Sequence, residues 1–166
     1  MPGPQTSRST RDGVPSLSLP RVLALVGGLG LIAAFFMPWF SAQNLLLSGQ
    51  FLHQFLANPG DLRRFLPGSS GSPAEAQMLR ALVDLFPVCG AVATLATLIG
   101  GLTPWRWPAN LVLGLAGVVP LVGWAGGITR LPPGANAEVG LWLIATSSVA
   151  VLAGLILDIA SGRRRA

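Results

Sequence analysis

Residues 21–40 read RVLALVGGLGLIAAFFMPWF, and this stretch decides the class of the fold. After Arg21 it continues to Phe40 without another charged side chain. An α-helix of this length, which rises about 1.5 Å per residue, can cross roughly 30 Å of hydrocarbon. The stretch therefore predicts a first membrane-spanning helix over residues 22–40.

Three later stretches of the chain have the same apolar character and a similar length. They predict further spans over residues 85–102, 109–128 and 139–157. Short connections after the second and third of these spans require neighbouring helices to run antiparallel. The predicted fold is an all-α membrane protein, a four-transmembrane-helix up-down bundle with a partly helical outer loop over residues 41–80.

The composition also indicates a membrane protein. Of the 166 residues, 51% are hydrophobic and 10% are charged, whereas soluble domains carry about 25% charged residues. The net charge of +5 could indicate a nucleic-acid-binding protein, but most arginines lie beside apolar stretches. Basic residues in such positions determine membrane topology. We therefore predict the lipid bilayer, and not nucleic acid, as a partner.

Both ends of the chain predict polar tails. Residues 1–20 are rich in Pro, Gly, Ser and Thr, which indicates a disordered cytoplasmic tail. This leader could instead begin a signal peptide, but the following apolar stretch exceeds the usual signal core of about 7–15 residues. We therefore expect an uncleaved first helix. Residues 159–166 contain three consecutive arginines and predict a basic cytoplasmic tail.

The distribution of arginines predicts the orientation of the spans. With both termini in the cytoplasm, seven arginines lie inside and four lie outside. The inside set is Arg8, Arg11, Arg21, Arg106, Arg163, Arg164 and Arg165, and the outside set is Arg63, Arg64, Arg80 and Arg130. The positive-inside rule then predicts a multi-pass cell-membrane protein with cytoplasmic N- and C-termini.

The predicted outer loop has apolar side chains at helical spacing on both sides of Asn58-Pro59-Gly60. This pattern predicts two short amphipathic helices on the membrane surface or over the bundle, with an ordinary packed loop as the alternative. The first helix would contain Leu45, Leu52, Phe55 and Leu56, and the second Leu62, Phe65 and Leu66. The candidate docking residues, for the bilayer or for a partner, are Phe51, Phe55, Leu62 and Phe65. The alternative is that they cap the bundle.

Two sequence features predict how the spans begin and pack. Ser72-Pro73-Ala74-Glu75 matches a capping box with proline at the first helical position, and the helical pattern then continues to Gly100. Small residues let a neighbouring helix approach closely. We therefore expect Gly114, Gly117 and Gly123 of the third span to face other helices.

The sequence contains no residue set that indicates catalysis. The four predicted apolar cores lack ionisable side chains, and Asp84 and Asp158 lie at their ends, where solvated or arginine-paired carboxylates are expected. His53 is the only histidine and is interpreted as a solvated loop residue without a partner. Cys89 lies in an apolar stretch, which predicts a buried, inert thiol. No enzymatic activity, cofactor or metal site is predicted.

Two local features carry a family resemblance. Met37-Pro38-Trp39-Phe40 at the end of the first span, followed by Ser48-Gly49, resembles uncharacterised small four-helix integral membrane proteins of bacteria. This resemblance implies a fold and a location but no activity. The large first outer loop is also similar to that of claudins. Residues 41–80, however, contain neither the tryptophan nor the cysteine of the claudin signature, so no junctional role is implied.

Three classes of function remain. The preferred one is a structural or accessory subunit that binds a membrane protein, or a second copy of itself, through its glycine-rich helix faces and residues 41–80. The second is a small oligomeric carrier or channel for a neutral or lipidic solute. It would need a cavity lined by the hydroxyls of Thr94, Thr97, Thr146 and Ser147. The third, an enzyme acting on lipids, would need clustered ionisable groups. The only near neighbours of that kind, His53, Asp61, Arg63 and Arg64, fit no mechanism.

Overall fold

A computed structural model describes residues 18–42, 45–57, 72–102, 106–129, 131 and 134–163. Most of these residues belong to four long helices and one short helix. The helices are α1 (Leu19–Phe36), α2 (Gly49–Phe55), α3 (Pro73–Leu102), α4 (Arg106–Thr129) and α5 (Val139–Arg163). Three short strands, β1 (Pro38–Ala42), β2 (Leu45–Ser48) and β3 (Asn136–Ala137), form one antiparallel sheet in the order β2–β1–β3.

The four long helices are long and apolar enough to cross a membrane. Their candidate spans are Leu19–Phe36, Ala76–Gly100, Trp107–Thr129 and Val139–Ser161, with mean hydropathies of 2.0 to 2.1. At about 1.5 Å per residue, each span approaches or exceeds the thickness of the hydrocarbon layer. The protein is therefore a multi-pass membrane protein.

Helices α1 and α4 each pack against both α3 and α5. A Cβ atom added to Gly154, near the end of α5, would meet Pro20 at the start of α1, so these two helices run antiparallel. In the same way Gly100, near the end of α3, lies against Ala109, near the start of α4. In each of these two pairs the helices therefore run antiparallel.

Helix α1 approaches its neighbours backbone to backbone. A Cβ atom added to Gly27 would lie 2.6 Å from the carbonyl oxygen of Ser147 in α5. A Cβ atom added to Gly90 of α3 would lie 2.7 Å from the carbonyl oxygen of Gly28 in α1. Real Cβ atoms are not found at such distances from backbone, so the two crossings require glycine at these positions.

The glycines singled out in α4 lie against side chains of the same chain. The atoms that a Cβ added to Gly114, Gly117 and Gly123 would meet belong to Leu155, Leu152 and Phe86, at 3.5, 2.8 and 2.9 Å. Leu152 and Leu155 lie in α5, and Phe86 lies in α3. The small residues of α4 therefore leave room for larger side chains of both neighbouring helices.

The segment after α1 corrects the predicted secondary structure. Helix α1 ends at Phe36, and residues 38–40, which were predicted to complete the first span, belong to β1. Strand β1 pairs with β2, so Leu45 lies in a strand and not in the first predicted amphipathic helix. The described chain is thus mostly helical, consistent with the predicted all-α membrane protein, and carries one small sheet in addition. Residues 37–40 and 45–47 are two short apolar stretches that are compatible with either structure, and the pairing of β1 with β2 decides for the strand.

Other predicted boundaries agree more closely with the structure. Helix α3 begins at Pro73, inside the predicted capping box, and continues beyond Gly100 to Leu102. Residues 49–55 form the short helix α2, within the first predicted amphipathic segment. The second predicted amphipathic helix, around residues 62–66, lies outside the described residues. Cys89 is buried among apolar side chains of the helices.

Candidate functional site

Residues 37–42 and 45–57 form a cap over one end of the four long helices. The cap consists of the β1–β2 hairpin and α2, which packs against α1 and α3. Strand β1 also pairs with β3, where Phe40 is opposite Ala137, immediately before α5 begins. The sheet therefore joins the end of α1 to the start of α5.

Trp39 is the central side chain of the cap, with only 6% of its surface exposed. Its indole Nε1 donates a hydrogen bond of 2.7 Å to the carbonyl oxygen of Ala34, in the last turn of α1. The same carbonyl also accepts a hydrogen bond of 3.3 Å from the backbone N–H of Met37, so the indole adds a second donor at the end of α1. The ring also contacts Phe86 of α3 edge to face, with 5.1 Å between ring centroids.

Two glycines allow α2 and α5 to begin directly against Trp39. A Cβ atom added to Gly49 would lie 2.6 Å from Cζ2 of the indole, and one added to Gly140 would lie 2.8 Å from Cδ1. Gly49 begins α2, and Gly140 lies in the first turn of α5. Elements from four helices therefore meet at one indole ring, which fixes the position of the cap.

Ser48 connects the hairpin to α2. Its extended backbone ends β2, and its Oγ accepts a hydrogen bond of 3.2 Å from the backbone N–H of Phe51. This is the usual N-cap interaction of serine, which satisfies one of the free N–H groups in the first turn of a helix. The dipeptide Ser48-Gly49 thus combines a helix cap with the close approach that Trp39 requires.

A polar network joins α2 to α3. Nδ1 of His53 lies 2.5 Å from Oδ1 of Asp84, and Nη2 of Arg80 lies 2.9 Å from Nε2 of His53. Arg80 and Asp84 are four residues apart, so they lie on one face of α3. The side chains of His53 and Asp84 are 31% and 41% exposed. His53 is therefore a partnered residue, and its interpretation as a solvated loop histidine is wrong.

The geometry of this network defines the hydrogen bonds of the imidazole. A guanidinium group donates and does not accept, so Nε2 of His53 must accept the bond from Arg80. A carboxylate only accepts, so in the 2.5 Å contact Nδ1 carries the proton and donates to Asp84. The longer approach of Nε of Arg80 to Nδ1, at 3.4 Å, is then not a hydrogen bond, because both atoms carry hydrogen. Asp84 thus accepts a hydrogen bond from His53, and the imidazole links Asp84 to Arg80. Among the residues that the structure describes, no three His, Cys, Asp or Glu side chains could hold a metal ion together.

We expect the His53–Asp84 pair to stabilise the docking of α2 on α3. His53→Ala and Asp84→Ala should each lower the free energy of unfolding by about 0.5–1.5 kcal/mol, the usual net value of a partly exposed hydrogen bond. The double variant should lose less than the sum of the two, because each single variant already removes the bond between His53 and Asp84. The measurement is a double-mutant cycle in mixed detergent micelles. Strictly additive losses would contradict the pairing.

The candidate docking residues occupy different environments. Phe51 is 43% exposed and stacks on Phe55, with 6.0 Å between ring centroids. Phe55 also packs against the buried cluster that contains Trp39. Leu62 and Phe65 lie outside the described residues. Leu45 and Leu46 of β2 are exposed as well. The sequence pattern missed Leu46 as a surface residue because it assigned this segment to a helix.

Three of the four hydroxyl groups that a carrier or channel would need in a cavity are bonded within their own helices. Thr94, Thr97 and Thr146 donate to carbonyl oxygens one turn earlier, at 2.9, 2.7 and 3.0 Å. Such bonds are the common state of hydroxyl groups in membrane helices. Ser147 is buried where α5 crosses α1, beside Gly30. These side chains therefore do not converge on a common polar channel.

Comparison with known proteins does not add to this description. No protein-family model matches the chain, and neither a curated protein nor a solved structure matches it. The functional interpretation therefore rests on the cap, on the helix surfaces and on their chemistry.

Proposed function

We propose that this protein is a structural or accessory subunit of the cell membrane, without enzymatic activity, that binds a partner membrane protein through its cap. The single observation that supports this proposal is an exposed apolar surface on a firmly held cap. Leu45, Leu46 and Phe51 are exposed, while Trp39 and the His53–Asp84 pair anchor the segments that carry them. Recognition commonly resides in loops that a rigid scaffold positions.

The helix faces offer a second, smaller surface for a partner or for a second copy of the chain. The glycines of α1, α3 and α5 whose surroundings the structure describes are in contact with other parts of the chain, as at Gly27, Gly90 and Gly154. Gly126 and Gly127 of α4 differ, because a Cβ atom added to either would meet no atom within 4 Å. They lie towards the cap end of α4, beyond Gly123. Small open positions of this kind suit the approach of another membrane helix.

The accessory role is better supported than a carrier or channel. A carrier would need polar groups that face a shared cavity, and the threonine hydroxyls bond to their own helix backbone instead. The described ionisable side chains of the candidate spans, such as Arg80, Asp84 and Asp158, lie towards span ends. Ion and proton pathways usually place such groups deep in the membrane.

The partner proposal predicts that Phe51→Ser abolishes co-purification of a specific membrane protein in mild detergent while this protein remains folded. Phe51 is 43% exposed and stacks on Phe55, so serine should cost the fold about 0.5–1.5 kcal/mol. Val118→Ser on the exposed face of α4 is the matched control and should retain the partner. A complex that survives both Phe51→Ser and Leu46→Ser would contradict the cap as the binding surface.

We further propose that the four long helices cross the membrane as an up-down bundle with both termini in the cytoplasm. The antiparallel contacts between α1 and α5 support this arrangement, because Pro20 and Gly154 then lie at the same end. The excess of arginine at that end agrees with the positive-inside rule. The cap would then lie on the outer side.

Reporter fusions test this topology. A reporter after Ala166 should be active in the cytoplasm, and one inserted within residues 68–72 should report the opposite side. A fusion at Met1 is the internal control, because an even number of spans places it on the same side as Ala166. If the fusions at residues 68–72 and at Ala166 report the same side, the proposed topology is incorrect.

A further inference from the structure

A small cavity lies between the long helices at the end opposite the cap. It has a volume of about 30 Å³ and receives residues from α1, α3, α4 and α5. A volume of this size can hold one or two water molecules. Most of its lining is apolar or small, but Arg21, Asn110 and Asp158 contribute one cation, one amide and one anion. One end of the helix assembly therefore carries polar groups around a central opening.

These three side chains have no protein partner within the described part of the chain. Arg21, Asn110 and Asp158 are each half-buried, and the structure pairs the described ionisable residues only at His53–Asp84 and Arg80. Thr97, which also lines the cavity, donates to the carbonyl oxygen of Ala93 instead. Unpaired charges near hydrocarbon are costly unless a ligand or headgroup satisfies them. Arg21 and Asp158 thus place a cation and an anion beside one opening.

An apolar groove adjoins the cavity. It lies between α3 and α4, has a volume of about 320 Å³, and shares Ala96 and Ala109 with the lining of the cavity. The rest of its lining is Val92, Leu95, Ile99, Pro108 and Val112. Because both helices span the membrane, the groove faces hydrocarbon. The small side chains of Ala96 and Ala109 form the boundary between the groove and the polar opening.

We propose that the groove and the cavity mouth together bind one phospholipid whose headgroup carries a protonated amine. The guanidinium of Arg21 complements the phosphate, and the carboxylate of Asp158 complements the ammonium group. The groove accommodates an acyl chain. The cavity itself is too small for a headgroup, so the headgroup lies at its mouth, at the depth of the membrane interface. This site does not depend on the proposed partner-binding role.

The charge pattern distinguishes this lipid from others. A phospholipid with net negative charge would satisfy Arg21 but would lie beside the carboxylate of Asp158. An uncharged lipid would leave both side chains unpaired. Only a headgroup with both charges pairs with the cation and the anion of the opening together, and an ammonium group with N–H bonds also donates to the carboxylate.

Native mass spectrometry of the detergent-purified full chain tests the headgroup. Phosphatidylethanolamine and phosphatidylglycerol with identical acyl chains are supplied in equal amounts. We expect roughly tenfold preferential retention of phosphatidylethanolamine, the change that one charge-assisted hydrogen bond commonly produces. Asp158→Asn should remove this preference, whereas Glu138→Gln, at the cap end, should leave it unchanged. Equal or stronger retention of phosphatidylglycerol by the wild-type chain would overturn the proposal.

A second pair of variants tests the groove. Val112→Trp fills the groove from α4 and should reduce retention of both lipids several-fold. Val118→Trp makes the same change at another exposed position of α4 and should leave retention intact. If both variants retain lipid as the wild type does, the acyl chain does not occupy the groove. The wild-type comparison of headgroups remains decisive even if Val112→Trp fails to fold.

Discussion

Trp39→Ala should lower the free energy of unfolding by about 3–5 kcal/mol, the usual range for removing a buried aromatic side chain. The loss has two physical parts. Removal of the ring leaves a cavity between Gly49, Gly140 and Phe86, whose positions are fixed by the surrounding helices. It also removes the hydrogen bond that the indole donates to the carbonyl oxygen of Ala34. The measurement is unfolding by SDS titration in mixed micelles.

Two further variants separate these parts. Trp39→Phe retains most of the ring but not the N–H donor, so it should cost about 1–3 kcal/mol. Trp107→Ala removes a tryptophan that is 76% exposed and should change the free energy of unfolding by about 0.5 kcal/mol or less. Similar losses from Trp39→Ala and Trp107→Ala would show that Trp39 does not hold the cap. Retained stability in Trp39→Phe would assign the whole effect to packing.

The sequence predicts that Trp39 lies at the end of the first span, but it does not predict the contacts of the indole ring. Pro38-Trp39 marked the end of the first span, because tryptophan prefers the membrane interface. The sequence did not show that the indole turns back onto α1 and is covered by Gly49 and Gly140. Those contacts join residues far apart in the chain, and no local pattern encodes them. Short apolar stretches also fit strand and helix equally well, which is why β1 was assigned to the first span.

The spans themselves could be predicted because their signal is local. Uncharged stretches long enough to cross a bilayer are recognisable from composition alone, and each of the four candidate spans overlaps a predicted one. The first span ends at Phe36 and not at residue 40, and the second ends at Gly100 and not at residue 102. Ser48-Gly49 also carried a readable helix-start signal, a serine before the first turn of α2. The spacing of the apolar side chains instead predicts a helix that already includes Leu45, before this cap.

The hydrogen-bond network of His53, Arg80 and Asp84 could not be predicted from residues that are adjacent in the sequence. His53 precedes Arg80 and Asp84 by a long connection, and the ionisable residues nearest to it in the sequence are Asp61, Arg63 and Arg64. What the sequence did contain was the spacing of Arg80 and Asp84, which places a cation and an anion on one helical face. His53 forms hydrogen bonds with Arg80 and Asp84 only because the fold packs α2 against α3.

Gly90→Ala should lower the free energy of unfolding by about 1–3 kcal/mol, although alanine is a better helix former than glycine. The added Cβ atom would lie 2.7 Å from the carbonyl oxygen of Gly28 and 3.0 Å from the backbone nitrogen of Ile32. Both obstacles are backbone atoms of α1, so they cannot move aside as a flexible side chain can. Relief requires α1 and α3 to separate. Unfolding in mixed micelles measures the loss.

The same substitution at Gly126 should have the opposite sign. A Cβ atom added there meets nothing within 4 Å, so Gly126→Ala gains helix propensity without a clash. We expect an increase in the free energy of unfolding of up to about 1 kcal/mol. Because the chemical change is identical, the difference between the two variants isolates the close crossing of α1 and α3. If both variants are stabilised alike, the helices are not in backbone contact at Gly90, and side chains must separate them.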